Sequence, residues 1–228
     1  MRTNKSSVRR WLKIGAIAGA GLLLLAVAGL FALYRATQHV PEFYRKAIQA
    51  DPATLAAASD QMLRRATALA SDVKKPGRWQ ALFTADEING WLAVDLVKNH
   101  GASLPPAIRD PRVHIEPDRL TLACRFRQGG LESVLSLIVE VHLAESNRIA
   151  LRIRKVRAGA LPLPLGDVLG ELSEAARRAE YPIEWRQSGG DPVALIPVQA
   201  VDQRAAVRIE KLVIRQGEIY LEGTTTSR

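Results

Sequence analysis

The stretch "RAGALPLPLGDVLGELSEAARRAEY", residues 157–181, decides the fold, because prolines alternate with leucines where two apolar segments meet. Its prolines keep residues 161–165 extended and cannot donate hydrogen bonds to a β-ladder, so the segment leaves a sheet or forms its edge. An apolar stripe at helical spacing follows. The stripe consists of Val168, Leu169, Leu172, Ala175, Ala176 and Ala179. We expect a stiff crossover from a sheet edge to a covering helix, with a lipid-facing rim as the alternative.

Strands with one apolar side come before and after this crossover. From residue 113 to residue 156 apolar side chains recur with a period of two, which is typical of an antiparallel meander with one buried face. The phase slips before Val156, which predicts a β-bulge. Turn residues separate the strands at Pro117-Asp118, Gly129-Gly130 and Ser146-Asn147. Further strand patterns lie in residues 183–187 and 193–199, and a hairpin turns at Gln216-Gly217.

A helix is predicted upstream, over residues 85–98 of "FTADEINGWLAVDLVKNH". Thr84 and Glu87 have the spacing of a capping box, in which each side chain satisfies a free amide at the helix end. Apolar residues lie on more than one side of this helix, so it is contacted from two directions. Either core packing or a ligand held between helix and sheet explains that pattern. The main apolar face comprises Ile88, Trp91, Leu92 and Leu96.

The N-terminal region contains 21 uncharged residues, 14–34, long enough to cross a bilayer as a helix. Five basic residues precede it, which favours an N-terminus inside the cell. A cleaved signal peptide is the alternative, but the run is longer than such a region and lacks a good cleavage site. We therefore expect a single-pass signal anchor in a bacterial cytoplasmic (inner) membrane, with the C-terminal part in the periplasm or elsewhere outside the cytoplasm. The predicted order is a cytoplasmic tail (1–13), a transmembrane helix (14–34), a helical neck (35–79) and an exported α+β domain (80–228).

Composition and motifs give no support for catalysis. The chain has 228 residues and a formal charge of +9, but +5 of that lies before residue 14, so no nucleic-acid surface is indicated. Cys124 is the single cysteine, and no pair of the four histidines has a metal-ligand spacing. No nucleophile elbow, phosphate loop or dinucleotide fingerprint is present. We expect no enzyme activity, no catalytic residue, no metal and no cofactor.

The motif "T-x-x-E-I-N", at Thr84, Glu87, Ile88 and Asn89, and the turn formed by Gly159 and residues 161–164 resemble those of the YpmS-like family of small bacterial membrane-anchored proteins. They are also similar, more distantly, to LmeA-like and TULIP-type lipid-binding proteins. The resemblance covers residues 80–222 and carries over no catalytic residue. It implies a curved sheet wrapped against a helix, with an apolar groove for acyl chains.

The predicted architecture is α+β, with a curved antiparallel sheet and helices packed on one face. Our first hypothesis is a non-enzymatic, anchored cell-envelope protein whose partners are the membrane and a lipid or other apolar ligand, with no nucleic acid. The alternative is a scaffold or accessory subunit that holds an envelope protein partner, and an anchored hydrolase is a third reading. The predicted ligand-binding residues are Ile88, Trp91, Leu92, Leu137, Val139, Leu161, Leu163, Val168 and Leu172.

Overall fold

The computed structural model describes residues 25–227 except 102–103, 129, 145–146, 179–182 and 199–204. These residues form an α+β fold in which every strand pair is antiparallel. The helices are α1 (residues 25–37), α2 (Glu42–Ile48), α3 (Pro52–Asp72), α4 (Ala85–Ala93), α5 (Asp95–His100) and α6 (Leu165–Arg178). The strands are β1 (Gly77–Thr84), β2 (Ile108–Glu116), β3 (Arg119–Gln128), β4 (Leu131–Ala144), β5 (Arg148–Ala158), β6 (Leu161–Pro162), β7 (Glu184–Ser188), β8 (Asp191–Pro197), β9 (Ala205–Arg215) and β10 (Glu218–Ser227).

The larger sheet has the order β2-β3-β4-β5-β8-β7, and β6 pairs with β5 beside this path. The meander predicted from the period-two pattern is confirmed as β2 to β5. The bulge is confirmed as well, because Ile138 pairs with Lys155 and Val139 pairs with Ile153, which leaves Arg154 without an opposite residue. After β5 the chain leaves through β6 and α6 and returns as the β7–β8 hairpin, with β8 against β5.

A second sheet has the order β1-β10-β9, so the final hairpin does not extend the larger sheet. The turn predicted at Gln216-Gly217 is confirmed between β9 and β10. Strand β1 was not expected; it begins at Gly77, inside the segment predicted as a helical neck. The indole of Trp79 donates a hydrogen bond of 3.1 Å to Thr225 Oγ1. A Cβ at Gly223 would lie 2.3 Å from the Trp79 ring, so the two strands need glycine there.

Helix α4 joins α3 to the larger sheet. The predicted capping box is present: Thr84 N donates to Glu87 Oε2 at 3.0 Å, and Glu87 N donates to Thr84 Oγ1 at 3.2 Å. A Cβ at Gly90 would lie 2.6 Å from the backbone nitrogen of Ser59 on α3, so the helices cross at their closest where glycine stands. The helix predicted over 85–98 is kinked at Val94 (ψ −67°), which separates α4 from α5.

The buried core lies on one face of the larger sheet, and α4 and the start of α6 pack against it. The prediction that helices cover a single face is corrected, because α2 packs on the other face. There Tyr44, 1% exposed, lies against Ala123 and Val134, which alternate with the core-facing residues of β3 and β4. The small side chain of Ala123 leaves room for the tyrosine ring, so part of the face expected to be solvated is covered.

Candidate functional site

We call the corner of the larger sheet where β4 begins and β5 ends the foot. The end of α1 is fixed to this corner. Ala160 N donates to the carbonyl oxygen of Ala36 at 2.8 Å. Ser133 Oγ donates to Thr37 O at 2.7 Å, and Gln38 Nε2 donates to Glu132 O at 3.0 Å. The first two bonds satisfy carbonyls that the last turn of a helix leaves free, and the third satisfies a carbonyl of β4. Helix α1 therefore ends directly on the foot, where β4 begins and β5 ends.

Gly159 makes this attachment possible. Its φ of +60° lies in the left-handed region that favours glycine, and its own N–H donates to Val134 O at 2.8 Å. A Cβ at this position would lie 2.4 Å from Ala36 O and 2.5 Å from Thr37 O. The glycine next to the proline–leucine crossover thus lets the turn lie directly on the end of α1.

The core-facing side of the larger sheet carries four apolar side chains that stay outside the buried core, and we call them the apolar lane. They alternate along β3 and pair in register with β4, so they share one face. Leu122 is 42% exposed although its neighbour on β2, Val113, is 4% exposed. The lane consists of Leu122, Cys124, Phe126 and Leu135. It runs toward the foot, because Phe126 pairs with Ser133.

Two walls border the lane. On one side lies α4, which starts far from the foot, where Ala85 N donates to Gly217 O at 2.8 Å. From there α4 runs along β2 toward the foot. Asn89 holds this helix in place: its side chain accepts from Val113 N at 2.7 Å and donates to Val113 O at 2.9 Å. On the other side Leu163 N donates to Val156 O at 2.9 Å, which lays the proline–leucine crossover over the same face.

The predicted ligand-binding residues divide into three groups. Five pack in one core cluster, where Val139 is buried and the other four are partly buried; they are Ile88, Leu92, Leu137, Val139 and Leu163. Two are half-buried outside it: Trp91, whose ring centroid is 6.1 Å from that of His100, and Leu161, which pairs with Ala158 beside the lane. Val168 and Leu172 lie on the α6 backbone, and their side chains are outside the described part. Ligand binding by these residues stays a prediction.

The opposite face of the sheet holds a cleft of about 270 Å³ beside the foot. Tyr44 closes its inner side and donates a hydrogen bond of 2.9 Å to Asp110 O, at a residue with a φ of 51°. Burial, and secondly the Asp110 carboxylate, raise the pKa of Tyr44 to about 12. The cleft is lined by Thr37, Gln38, Val40, Tyr44, Ile48, Arg125, Glu132, Ser133 and Val134. The sequence signal for it was weak, since Arg125 and Glu132 resemble ordinary surface charges.

Three side chains of reactive types in the described residues, Cys124, Glu87 and His114, are at least partly buried or in contact with a neighbour. Burial raises the pKa of the Cys124 thiol to about 11, which suppresses the thiolate. Glu87 Oε1 lies 2.7 Å from Arg65 Nε in an ion pair in which the glutamate is buried and the arginine is partly exposed. His114 stacks on Phe43, with 5.1 Å between ring centroids. No group of three or more His, Cys, Asp or Glu side chains in the described ranges is placed to hold a metal ion.

The predicted membrane span is only partly described, since residues 14–24 lie outside the described part. Among the helices that are described, none combines the length and the apolar character needed to span a bilayer. Residues 25–34 are helical, and six large apolar side chains on them are each more than half exposed. These are Leu25, Val27, Leu30, Phe31, Leu33 and Tyr34.

Comparison with known proteins returned no match to a family model, a curated protein or a solved structure.

Proposed function

We propose that residues 14–34 anchor the chain in a bacterial cytoplasmic membrane and that its α+β part, outside the cytoplasm, binds a lipid acyl chain or another apolar ligand. The protein performs no chemistry on it. The observation that carries this proposal is the apolar lane, where leucine and phenylalanine side chains lie between α4 and the crossover without joining the core. The ligand would enter from the foot, since the lane runs toward it.

The exposed surface of α1 supports the anchoring part of the proposal. No described residue buries its apolar side chains, and a row of such size is rare on a surface that faces water. Lipid tails would cover them. Since α1 is fixed at the foot, the mouth of the lane would then lie next to the bilayer surface.

The energy available from the lane is sufficient for a specific ligand. Burying a methylene group yields about 0.8 kcal/mol, so eight methylenes would contribute about 6 kcal/mol. That corresponds to a dissociation constant of the order of tens of micromolar before any headgroup contact. A ligand presented by the adjoining bilayer at high local concentration needs no tighter binding.

The state of the reactive groups supports a role without catalysis. Cys124 lies in the lane itself, and a pKa of about 11 keeps its thiol protonated at neutral pH. The buried carboxylate of Glu87 is used in the capping box and in the ion pair with Arg65. Glu87 therefore has a structural role that explains its position, and Cys124 is kept in its unreactive form.

The alternative, a scaffold for an envelope protein partner, would use the open edge of the larger sheet. Strand β7 has one neighbour in the described sheet, β8. Its Glu184 forms ion pairs with Arg148 and Arg186, and charged side chains on an edge strand oppose pairing with another chain. The β7 edge therefore supports the scaffold hypothesis less strongly than the apolar lane supports binding of an apolar ligand. One stoichiometric protein partner, recovered by crosslinking, would reverse this order.

Cysteine protection tests the lane in the reconstituted full-length protein. In a Cys124→Ala background, one variant carries Leu122→Cys in the lane and a control carries Leu63→Cys on α3, where the leucine is 39% exposed. We expect dodecanoic acid below its micelle concentration to slow maleimide labelling at position 122 at least fivefold and to leave position 63 unchanged. Equal rates at position 122 with and without the fatty acid would contradict the proposal.

A further inference from the structure

Arginine side chains gather at the foot from four elements, and we call them the basic rim. Arg109 on β2 pairs across the sheet with Arg125 on β3. Arg157 on β5 pairs with Pro162, two residues before the turn at Gly159. The full rim consists of Arg35, Arg109, Arg125, Arg127 and Arg157. The strand pairing thus brings together charges that are up to 122 positions apart in the sequence.

Two acidic residues neutralise only part of this charge. Glu132 forms ion pairs with Arg127 and, at 3.5 Å, with Arg125. Asp110 lies 3.7 Å from Arg125. Hydrogen bonding from Arg127 also holds the pKa of Glu132 below its ordinary value, so this carboxylate stays charged.

Three rim arginines remain. Arg35, Arg109 and Arg157 are exposed and form no ion pair within the described part of the chain. With the two acids counted against five arginines, the rim carries an excess charge of +3. On α2 the ion pair of Glu42 with Lys46 is neutral, and Arg45 adds a further positive charge nearby.

The position of the rim identifies the surface it would meet. Arg35 directly follows the predicted membrane span, so the rim lies where lipid headgroups would be. The 14 residues of β4 extend about 45 Å away from the foot, several times the screening length of about 8 Å in physiological salt. Charges at the far end of the sheet therefore do not contribute. A guanidinium group binds phosphate oxygens in a bidentate way, which fits it to headgroups.

We infer that the basic rim binds the phosphate groups of anionic phospholipids in the membrane leaflet next to the foot. This inference rests on the proposed anchoring through residues 14–34 but not on ligand binding in the apolar lane. Rim contacts would hold the sheet end against the bilayer and concentrate anionic lipid at the mouth of the lane.

The test uses the full chain in vesicles of phosphatidylcholine with spin-labelled phosphatidylglycerol or spin-labelled phosphatidylcholine as probes. The rim variant carries Arg109→Gln and Arg157→Gln. The control carries Arg208→Gln and Arg215→Gln, which remove the same charge. Both are exposed arginines on β9, which is bonded to the β2–β3 and β4–β5 turns at the end of the larger sheet opposite the foot. A basic residue near a membrane surface changes association about fivefold, so the rim variant should lose at least fivefold of the phosphatidylglycerol preference. The control should keep that preference, and high salt should abolish it.

Two results would overturn the inference. The first is that the wild-type chain stays in the vesicles but shows no preference for phosphatidylglycerol. It is equally met if the wild-type chain shows the preference and the rim variant keeps it. The second is release of the chain from the vesicles by alkaline carbonate, which would also overturn the anchoring. The carbonate wash therefore separates a failure of the rim from a failure of the proposed function.

Discussion

Replacement of Asn89 tests how α4, one wall of the lane, is held to the sheet. The Asn89 amide satisfies both the N–H and the C=O of Val113, and its side chain is nearly buried at 9% exposure. Asn89→Ala leaves both backbone groups without a partner. Since each unsatisfied buried group costs about 1–3 kcal/mol, we expect the free energy of unfolding to fall by about 2–6 kcal/mol.

Asn89→Asp sharpens this prediction through its dependence on pH. A carboxylate can accept from Val113 N but repels Val113 O, whereas the protonated acid can donate to that oxygen. The folded-state pKa of the new Asp should therefore rise above the unfolded value of about 3.9. The contribution of this hydrogen bond to the free energy of unfolding is then fully present below the unfolded-state pKa. It is lost as pH rises through the folded-state pKa.

Thermal unfolding of the full chain in detergent micelles, followed by far-UV circular dichroism near pH 8 and near pH 4, measures both effects. The control is Asn99→Ala, because the Asn99 amide donates to the Asp95 side chain on the same helix, α5, which has no buried residue. The control should change stability by less than about 0.5 kcal/mol. If both Asn89 variants matched the control at either pH, the bridge to Val113 would not hold α4 as described.

Three further predictions concern the foot and the two buried titratable groups. Gly159→Ala should lower the free energy of unfolding by at least about 2 kcal/mol more than Gly130→Ala. Both glycines have positive φ, but only Gly159 has backbone atoms where a Cβ would stand. Urea unfolding of the two variants measures this difference. Stability should be unaffected by Tyr44 ionisation below about pH 10 and fall as pH approaches about 12, since burial raises the pKa of Tyr44 and folding disfavours the phenolate; Tyr44→Phe should lose this part of the pH dependence. Alkylation of Cys124 near pH 8 should be about 100-fold slower in the folded chain than in urea, because its pKa is raised from 9.0 to about 11; equal rates would show that the thiol is solvated.

Much of the larger sheet could be predicted because its signal is local. The period of two, the turn residues and the phase slip before Val156 each reflect the sheet face on which a side chain lies. Strand β1 has the same alternation, with Trp79 and Phe83 buried, but it is short and follows a long helix. Its partner β10 lies about 140 residues away, and nothing in eight residues specifies that pairing.

The site was harder to predict than the fold. Leu120 and Leu122 are the same residue type on the same face of β3, yet Leu120 packs against the core and Leu122 is exposed. This difference in exposure depends on which strand α4 lies along. The hydrogen bonds of Asn89 to Val113 hold α4 along β2. A hydrophobicity pattern contains no information on such a bridge. Likewise, the covering of Ala123 by Tyr44 depends on a helix 79 positions away in the sequence.

The attachment of α1 limits how far the protein can reach. Many tethered domains move freely on a disordered linker. Here one backbone and two side-chain hydrogen bonds join the end of α1 directly to the sheet. If residues 14–34 anchor the chain as proposed, a ligand in the apolar lane would be handed over only within about the length of one strand from the lipid surface. Delivery to a distant acceptor would require that acceptor, or a soluble shuttle, to travel to the membrane and meet the protein there.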